Sequence, residues 1–480
     1  MTRDPTLPIV VIGAGLAGLG ASLALARAGR RVLLLEANDR VGGCCATSDL
    51  DGFRFNEGAL YVAVPSLLAH AFDRIGLDLA SLVPMAAIER PLESHLDDGS
   101  IVHLSSVAGS RVEGPGADGR TAMLREGLHA LRHEWGPVYR TLVREVLPHE
   151  PSMIHTLASL WRYLPRLRGN VDTLIARHFP DPGLQAAVAS LLLYSGMAPQ
   201  RLPVTQIVGL VALLEEGFWL PRDGMGAITG ALRDALPSPR VELRRRARVA
   251  SIEVARNRNR IRGVVLADGE RIAATEVLAT CSGFDVTHNL LARDDVPRRL
   301  SRIATAAPLS HRAISLQIGC DSAALPGSFM VNHVPAMRDQ GALHEHQPGI
   351  PRWLAWTSPS QVVPGLAPAG KATIELFAPP AANGGGDAAA DRYVAALRAR
   401  LPDLEVEATR VRTPTDFERD MHLYAGALYG IAPGAPPQHY FPHRTRLDGL
   451  HLAGQTTFPG FGVPSALLSG IQAADQLLEG

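Results

Sequence analysis

The stretch Pro8-Ile-Val-Val-Ile-Gly13-Ala-Gly15-Leu-Ala-Gly18-Leu-Gly20, running on to Val32-Leu-Leu-Leu-Glu36, decides how the chain reads. Its apolar run from Ile9 to Ile12 has the pattern of a parallel strand buried on both faces. Gly13 makes the tight turn out of that strand. Gly15 has no Cβ, so a pyrophosphate can approach the backbone. Gly18 lets the following helix pack close to the strand. The spacing predicts a helix to about Ala28, a cap at Gly29 and a second strand, Val32–Leu35. Glu36 then stands 18 positions after Gly18, where a carboxylate accepts hydrogen bonds from an adenosine ribose. Strand, turn, helix, strand and acid in this order make a dinucleotide fingerprint. An acid rather than a base at position 36 argues against a 2′-phosphate and leaves NAD and FAD open.

Composition sets outer bounds. A chain of 480 residues is too long for one ordinary core, so two domains are expected. Apolar residues make up 46%, and 47 basic residues balance 47 acidic ones, which gives no electrostatic case for nucleic acid. The run Arg244-Arg-Arg-Ala-Arg248 reads as a solvated strand edge. Cys44, Cys45, Cys281 and Cys320 form no CxxC pair, so free thiols in a reducing cytoplasm are expected. The first apolar run is a strand without a cationic leader, so no signal peptide is expected. No apolar stretch reaches the ~20 residues of a membrane span. The nearest, residues 184–198 and 207–214, read as core helices, a greasy tunnel or a shallow membrane-facing surface.

Further along, Arg40-Val-Gly42-Gly43-Cys44 suggests a second backbone approach to the same ligand, with Arg40 able to pair with a phosphate. Residues 52–61 offer a short strand and a glycine turn. Ser66 has the look of an N-cap for a helix ending at Gly76. Residues 92–104 read as a hairpin around Asp98-Gly99. From Thr121 the pattern turns helical, over 122–147, 154–163, 184–197 and 205–214. Strand-rich character returns at 219–285, with a helix over about 227–235. Residues 286–302 read as helical, 311–320 and 372–377 as strands, and 388–400 as a helix after a loop at 379–386. His344-Glu-His346 is a polar loop with two histidines, more often solvated than metal-binding.

A second anchor lies near the C-terminus: Ala453-Gly454-Gln455-Thr-Thr-Phe-Pro459-Gly460-Phe-Gly462-Val463-Pro464-Ser465-Ala466. A strand ends, and a glycine-rich loop feeds a helix beginning near Pro464. The free N–H groups and positive dipole end of that helix are suited to holding negative charge.

With both anchors in view, the chain resembles the phytoene desaturase and carotenoid isomerase branch of the FAD-dependent amine oxidase superfamily. The resemblance rests on residues 13–36, 40–43, 52–61, 219–232, 248–252, 278–285, 424–430 and 450–474. It implies an α/β fold, with a Rossmann-type, amine-oxidase-like FAD-binding domain and a discontinuous α+β substrate domain. The implied boundaries are 1–85, 219–290 and 431–480 for the first, 86–218 and 291–430 for the second. It assigns the ribose to Glu36, and the pyrophosphate region to Gly13, Gly15, Arg40 and Gly43, with Leu16, Ala17, Ala37, Gly42 and Cys44 beside them. Val249 would flank the adenine, with Ser282 and Gly283 nearby. Gly58, Ala59, Leu60, Gly462, Val463, Pro464 and Ala466 would line the isoalloxazine, and Gly454 and Gln455 would reach the ribityl or pyrophosphate. The glycines at 224–230 lack a following acid-ended strand, so a second nicotinamide site is not expected.

The resemblance implies desaturation of a CH–CH bond in a lipophilic or conjugated molecule, carotenoid-like or from secondary metabolism, by hydride transfer to flavin N5. Oxygen, a quinone or another acceptor would take the electrons, and peripheral membrane contact would suit the substrate. The oligomeric state stays open. Oxidation of a C–N bond and redox-neutral polyene isomerisation are the alternatives on this fold. The GDP-dissociation inhibitors are its non-enzymatic variant. Two departures stand out: Gly454-Gln-Thr-Thr-Phe-Pro-Gly replaces the desaturases' Gly-Ala-Gly-Thr-His-Pro-Gly, and Lys371, the only lysine, is not where amine oxidases carry one near N5. Glu57 and Tyr61 are the residues placed to touch substrate or relay a proton. Glu57 hydrogen-bonded to FAD and Tyr61 as pocket wall is the simpler reading. No metal is expected.

Overall fold

A computed structural model describes residues 7–150, 152–255, 259–337, 339, 353–380 and 386–479. His344, His346 and residues 381–385 of the expected loop lie outside them. Five strands pair in parallel in the order Val241–Arg244, Val32–Leu35, Ile9–Ile12, Val277–Ala279, Leu450–Leu452. Every residue of the first two strands in the chain is buried, as their unbroken apolar runs require. The opening helix, Leu16–Arg27, ends in a turn where Gly29 takes φ +83°, the expected cap. The C-terminal helix, Val463–Glu479, packs along it.

A second, eight-stranded sheet runs in the order Val406–Arg412, Ile314–Asp321, Lys371–Ala378, Leu354–Thr357, Met330–Val334, Leu92–Leu96, Ile101–Leu104, Arg111–Glu113. Its pairs are antiparallel except Met330–Val334 with Leu92–Leu96. The predicted hairpin turns at Gly99, φ +81°. A smaller sheet holds Val249–Ala255, Arg260–Leu266 and Arg271–Ala273. Between residues 117 and 216 the chain is helical, from Ala117–Thr141 to Val208–Glu216. Among the described residues no helix is long and apolar enough to cross a membrane.

Several local expectations are corrected. Ser66 is not an N-cap: the helix Pro65–Arg74 is capped two residues earlier, at Val64. The Ser66 hydroxyl and N–H instead donate to Glu216, at 2.7 and 3.0 Å. Residues 286–302 are not one helix. A turn over Val286–Leu290 gives way to extended chain at Leu291, and Pro297 then caps a separate helix, Arg298–Ala306. The helix expected over 184–197 is α-helical only over Pro182–Ser190 and closes in a tighter turn, Leu191–Ser195, with Gly196 left-handed. Most apolar side chains of 184–214 are core: Leu184, Leu192, Leu193, Leu210 and Leu213 are all buried.

Candidate functional site

The glycine turn is built as its residue types demand. Gly13 has φ +97°, and a Cβ there would sit 2.9 Å from Thr280 Oγ1. Thr280 donates to the carbonyls of Ile12 and Gly13, at 2.8 and 3.1 Å, and so fixes the turn from the neighbouring strand. A Cβ on Gly18 would lie 1.8 Å from the Gly13 carbonyl oxygen, so only glycine fits. At Gly15 the nearest such atom is the Gly42 carbonyl oxygen at 4.0 Å. Its bare face opens onto space that a ligand can use. Leu16 and Ala17 are buried in the first turn of the helix.

Glu36 is buried beneath this turn. Its carboxylate accepts from Ala14 N at 2.8 Å and Asn38 N at 2.9 Å. Burial raises its pKa, and the N–H groups of Asn38, Ala14 and Ala37 oppose the rise. Each oxygen keeps lone-pair capacity for a further donor. The segment leading to Val249 runs alongside, with Arg246 N and Ala247 N donating to the carbonyls of Asn38 and Glu36.

Gly42 and Gly43 meet the opening turn: Gly42 N donates to the Ala14 carbonyl, and Gly15 and Gly42 form a bridge. Cys44 follows and packs on Gly58, and its carbonyl accepts from Ala59 N at 2.8 Å. Burial pushes the Cys44 thiol up to about 11, so it stays protonated and is no redox-active thiolate at neutral pH.

Glu57 proves to be the centre of an ion cluster. It is 1% exposed and pairs with Arg40 at 3.4 Å, Arg410 at 3.3 Å and Arg412. Both oxygens are engaged, so Glu57 is corrected from a candidate substrate contact to a structural anion, and Arg40 is shared with it. Arg410 and Arg412, on the strand Val406–Arg412, carried no local signal in the sequence. Beside them Asn56 is clamped from three sides. Its N–H donates to Glu375 at 2.6 Å, its carbonyl accepts from Gln317, and its Oδ1 accepts from Met225 N. Gly226 N is taken by Thr47. Met225 N and Gly226 N at this glycine turn are thus taken by protein acceptors.

At the C-terminal loop, Gly454 N donates to Ser469 Oγ at 3.0 Å, and Ser469 also bonds Thr457. Gln455 is half-buried against Gly430. A Cβ on Gly462, φ +104°, would find only Ser465 Oγ, at 4.0 Å. The first-turn N–H groups after it, at Val463 and Ser465, have no intrahelical acceptor, and Pro464 has none to leave unpaired. The bare faces of Gly15 and Gly462, the carboxylate of Glu36 and this helix terminus fit the expected FAD. Ser282 and Gly283 do not share that role. Ser282 caps a short helix, Gly283 N donates to Thr456 at 3.0 Å, and the Phe441 ring fills the space where a Gly283 Cβ would be.

Gly58, Ala59 and Leu60 lead to a group of packed aromatic rings. Tyr61 lies 4.3 Å from Phe218 and edge-on to Phe329 at 6.0 Å, centroid to centroid. Tyr429 stacks on Phe461 at 4.5 Å and donates from its hydroxyl to the Tyr194 carbonyl at 2.7 Å. Each of these tyrosines is only partly covered by protein. Burial nonetheless raises all three phenols, Tyr429 up to about 12, and the neighbouring phenols add to the rise at Tyr61 and Tyr194. They remain neutral donors near pH 7 and do not act as bases. The Tyr61 hydroxyl has no protein hydrogen bond among the described residues. Lys371 is remote from this role: it pairs with Asp321 and Glu407.

The model for the flavin containing amine oxidoreductase family matches residues 16–478. Phytoene dehydrogenase of Streptomyces griseus is 29% identical, over 99% of this chain and 96% of its own length. The 4,4'-diapolycopene oxygenase of a Methylomonas species is 25% identical, over 100% and 99%. Among solved structures, an oxidoreductase from Methanosarcina mazei superposes with a TM-score of 0.65 at 15% identity, covering 98% of this chain and 99% of its own. Putrescine oxidase bound to putrescine gives 0.64 at 16%, covering all of both chains.

Proposed function

The chain belongs to the flavin-containing amine oxidoreductase family, an FAD-dependent oxidoreductase by that membership, and from this premise we propose that it desaturates a CH–CH bond of a carotenoid-like polyene. The observation that carries the substrate class is the packed aromatic group of Tyr61, Phe218 and Phe329 with Tyr429 and Phe461. Stacked and edge-on rings suit a conjugated apolar chain. FAD, when bound, supplies the hydride acceptor.

The chain's residues would act as follows. Glu36 holds the ribose, Gly13, Gly15 and Gly43 admit the pyrophosphate, and Val249 flanks the adenine. Leu16, Ala17, Ala37, Gly42 and Cys44 shape that cradle. Gly58, Ala59, Leu60 and the 462–466 turn border the flavin ring, with Gly454 and Gln455 at its phosphate side. The Val463 helix terminus holds negative charge by its free N–H groups. The aromatic walls exclude water and orient the chain, and Tyr61 offers a hydrogen-bond donor on the substrate side. Electrons leave to oxygen, a quinone or another acceptor. We divide the chain at 85, 218, 290 and 430, and place it in a reducing cytoplasm in peripheral contact with membrane.

Purified protein is expected to be yellow, with flavin absorption near roughly 450 nm. Anaerobic bleaching by a detergent-dispersed polyene, and not by amines, supports desaturation. Bleaching by an amine alone overturns it. Two substitutions probe the two ends of the site. Glu36→Gln sets a side-chain NH2 against the Ala14 or Asn38 N–H and loses a charge-assisted acceptor. FAD affinity is expected to fall about 10- to 100-fold, measured by fluorescence titration of apoprotein. Tyr61→Phe removes the unpartnered hydroxyl. It is expected to lower kcat/KM about 3- to 10-fold with the flavin spectrum unchanged, and equal rates would make Tyr61 pocket wall alone.

A further inference from the structure

The strand Val406–Arg412 and the helix Pro414–Met421 carry no nucleotide motif, yet they reach the cofactor cradle at two ends. At one end Arg410 and Arg412 pair with Glu57, which also holds Arg40, two positions ahead of Gly42. Glu57 N donates to the Ala46 carbonyl, so this ion cluster is fixed to the turn that follows Gly42. Three guanidinium groups share one carboxylate. Glu375 beside them, raised to about 8, keeps its proton at neutral pH. Asp416 and Asp420 are taken by Arg419, at 2.8 and 2.6 Å. Positive charge is therefore in surplus next to the turn that would admit the pyrophosphate.

At the other end the segment meets the residues around Glu36. Asn38 N donates to the Glu36 carboxylate at 2.9 Å, and Asn38 Nδ2 donates to the Asp420 carbonyl, also at 2.9 Å. Arg248, the neighbour of Val249, donates from Nη1 to His422 Nδ1 at 3.2 Å. Burial and the Arg248 charge lower the His422 pKa, so the ring is neutral and its proton is on Nε2. That Nε2 is buried and has no hydrogen-bond partner among the described residues. A buried donor without an acceptor is costly, and a ligand that accepts from it removes the cost. The backbone at this corner is strained as well. Of the five described non-glycine residues with positive φ, three are here: Arg246, His422 and Ala425, at +56°, +54° and +52°. Arg246 N donates to the Asn38 carbonyl, and Ala425 N to Glu418 at 3.2 Å.

We propose that residues 410–422 form the outer half of the cofactor site and latch the adenosine diphosphate half of FAD. Arg410 and Arg412 are positioning residues: they fix Glu57, and through it Arg40, for the diphosphate. His422 donates a hydrogen bond from Nε2 to the adenosine. The contacts of Asp420 with Asn38 and of His422 with Arg248 close the latch, and the cofactor leaves only when they open. The latch rests on the FAD reading above.

Holoprotein is mixed with an excess of 5-deaza-FAD, a spectrally distinct analogue, and the exchange rate is read from the change in absorption. Asn38→Ala combined with His422→Gly opens the adenosine end, and glycine accepts the φ of +54° at 422. This variant is expected to exchange about 10-fold faster than wild type. Its apoprotein should bind ADP more weakly by a similar factor in calorimetry. Arg410→Gln, made separately, is expected to speed exchange about 3- to 10-fold, with ADP affinity again falling alongside. Urea midpoints of the apoproteins separate the latch from a general loss of stability, and those of the variants are expected to match wild type. Wild-type exchange rates in both variants overturn the proposal. So does faster exchange with ADP affinity unchanged, or faster exchange that tracks a lowered apoprotein midpoint. Yellow protein whose variants exchange as slowly as wild type sinks the latch and spares the FAD reading. Protein that takes up neither FAD nor ADP sinks both.

Discussion

Gly470→Ala is expected to unfold at markedly lower denaturant and to lose most of its flavin. A Cβ at 470 would lie 2.0 Å from the Ala17 carbonyl oxygen and 2.7 Å from its carbon. Those are backbone atoms of the opening helix, which no rotamer change can move. On the same contact, a Cβ on Gly20 would meet Leu467 at 2.5 Å. The two helices touch through missing side chains, and each carries a ligand loop at its N-terminal end: residues 13–15 for one and 454–462 for the other. Ser469, the neighbour of Gly470, also holds Gly454 N. A methyl group would push the helices apart by more than 1 Å to reach ordinary contact, at a cost of about 3 kcal/mol or more. The loops would separate with them. Urea midpoints and flavin-to-protein ratio measure this. Gly230→Ala is the control, because a Cβ there meets nothing within 4 Å on the helix Gly226–Asp234. That variant is expected to be as stable as wild type or more so, by up to about 1 kcal/mol. A Gly470→Ala protein with wild-type midpoint and full flavin would refute the close-contact account.

The same contact shows what was legible in the sequence. The opening strand, turn, helix and acid are local, and each is fixed by residue type, so Gly13 to Glu36 read correctly element by element. The C-terminal loop was legible for the same reason. That Gly20 and Gly470 serve one interface was not, because their separation in the chain hides it. Glu57 shows the limit more sharply. Its position after the strand Phe53–Asn56 suggested a place near the flavin, but its partners Arg410 and Arg412 come from the far end of another sheet. Gly283 was placed near the adenine by resemblance alone, and the Phe441 ring fills its bare face. The aromatic group depended on Tyr61, Phe218, Phe329 and Tyr429 converging from separate segments, and no periodicity announces that. Ser66 failed by two positions, since Pro65 can start a helix, with Val64 at its cap, as readily as serine can cap one.

Glu375→Gln is expected to flatten the pH dependence of stability. Glu375 sits in the strand Lys371–Ala378, whose fourth to sixth residues, Ile374 to Leu376, are all buried, so its carboxyl has no route to water. Burial raises it to about 8, hydrogen bonds from Asn56 and Thr357 oppose the rise, and the Glu57 charge adds to it. In the unfolded chain the same group titrates near 4.5. Between these values the unfolded state has lost the proton and the folded state keeps it, so stability falls as pH rises from about 4.5 to 8 and levels off above. The accumulated loss is on the order of 5 kcal/mol. Glutamine keeps the acceptor for Asn56 N at 2.6 Å and supplies a permanent donor where the acid has its proton. Below pH 5 the two proteins should therefore be nearly equal, and above pH 8 the variant should be the more stable by most of that amount. The readout is the difference between wild-type and variant urea midpoints, taken as holoprotein across this range, which cancels every other titrating group. Parallel curves would mean that Glu375 ionises freely in the fold. A variant that weakens at high pH would mean that its charge is needed by Arg410 and Arg412, and that those arginines carry more positive charge than Glu57 alone neutralises.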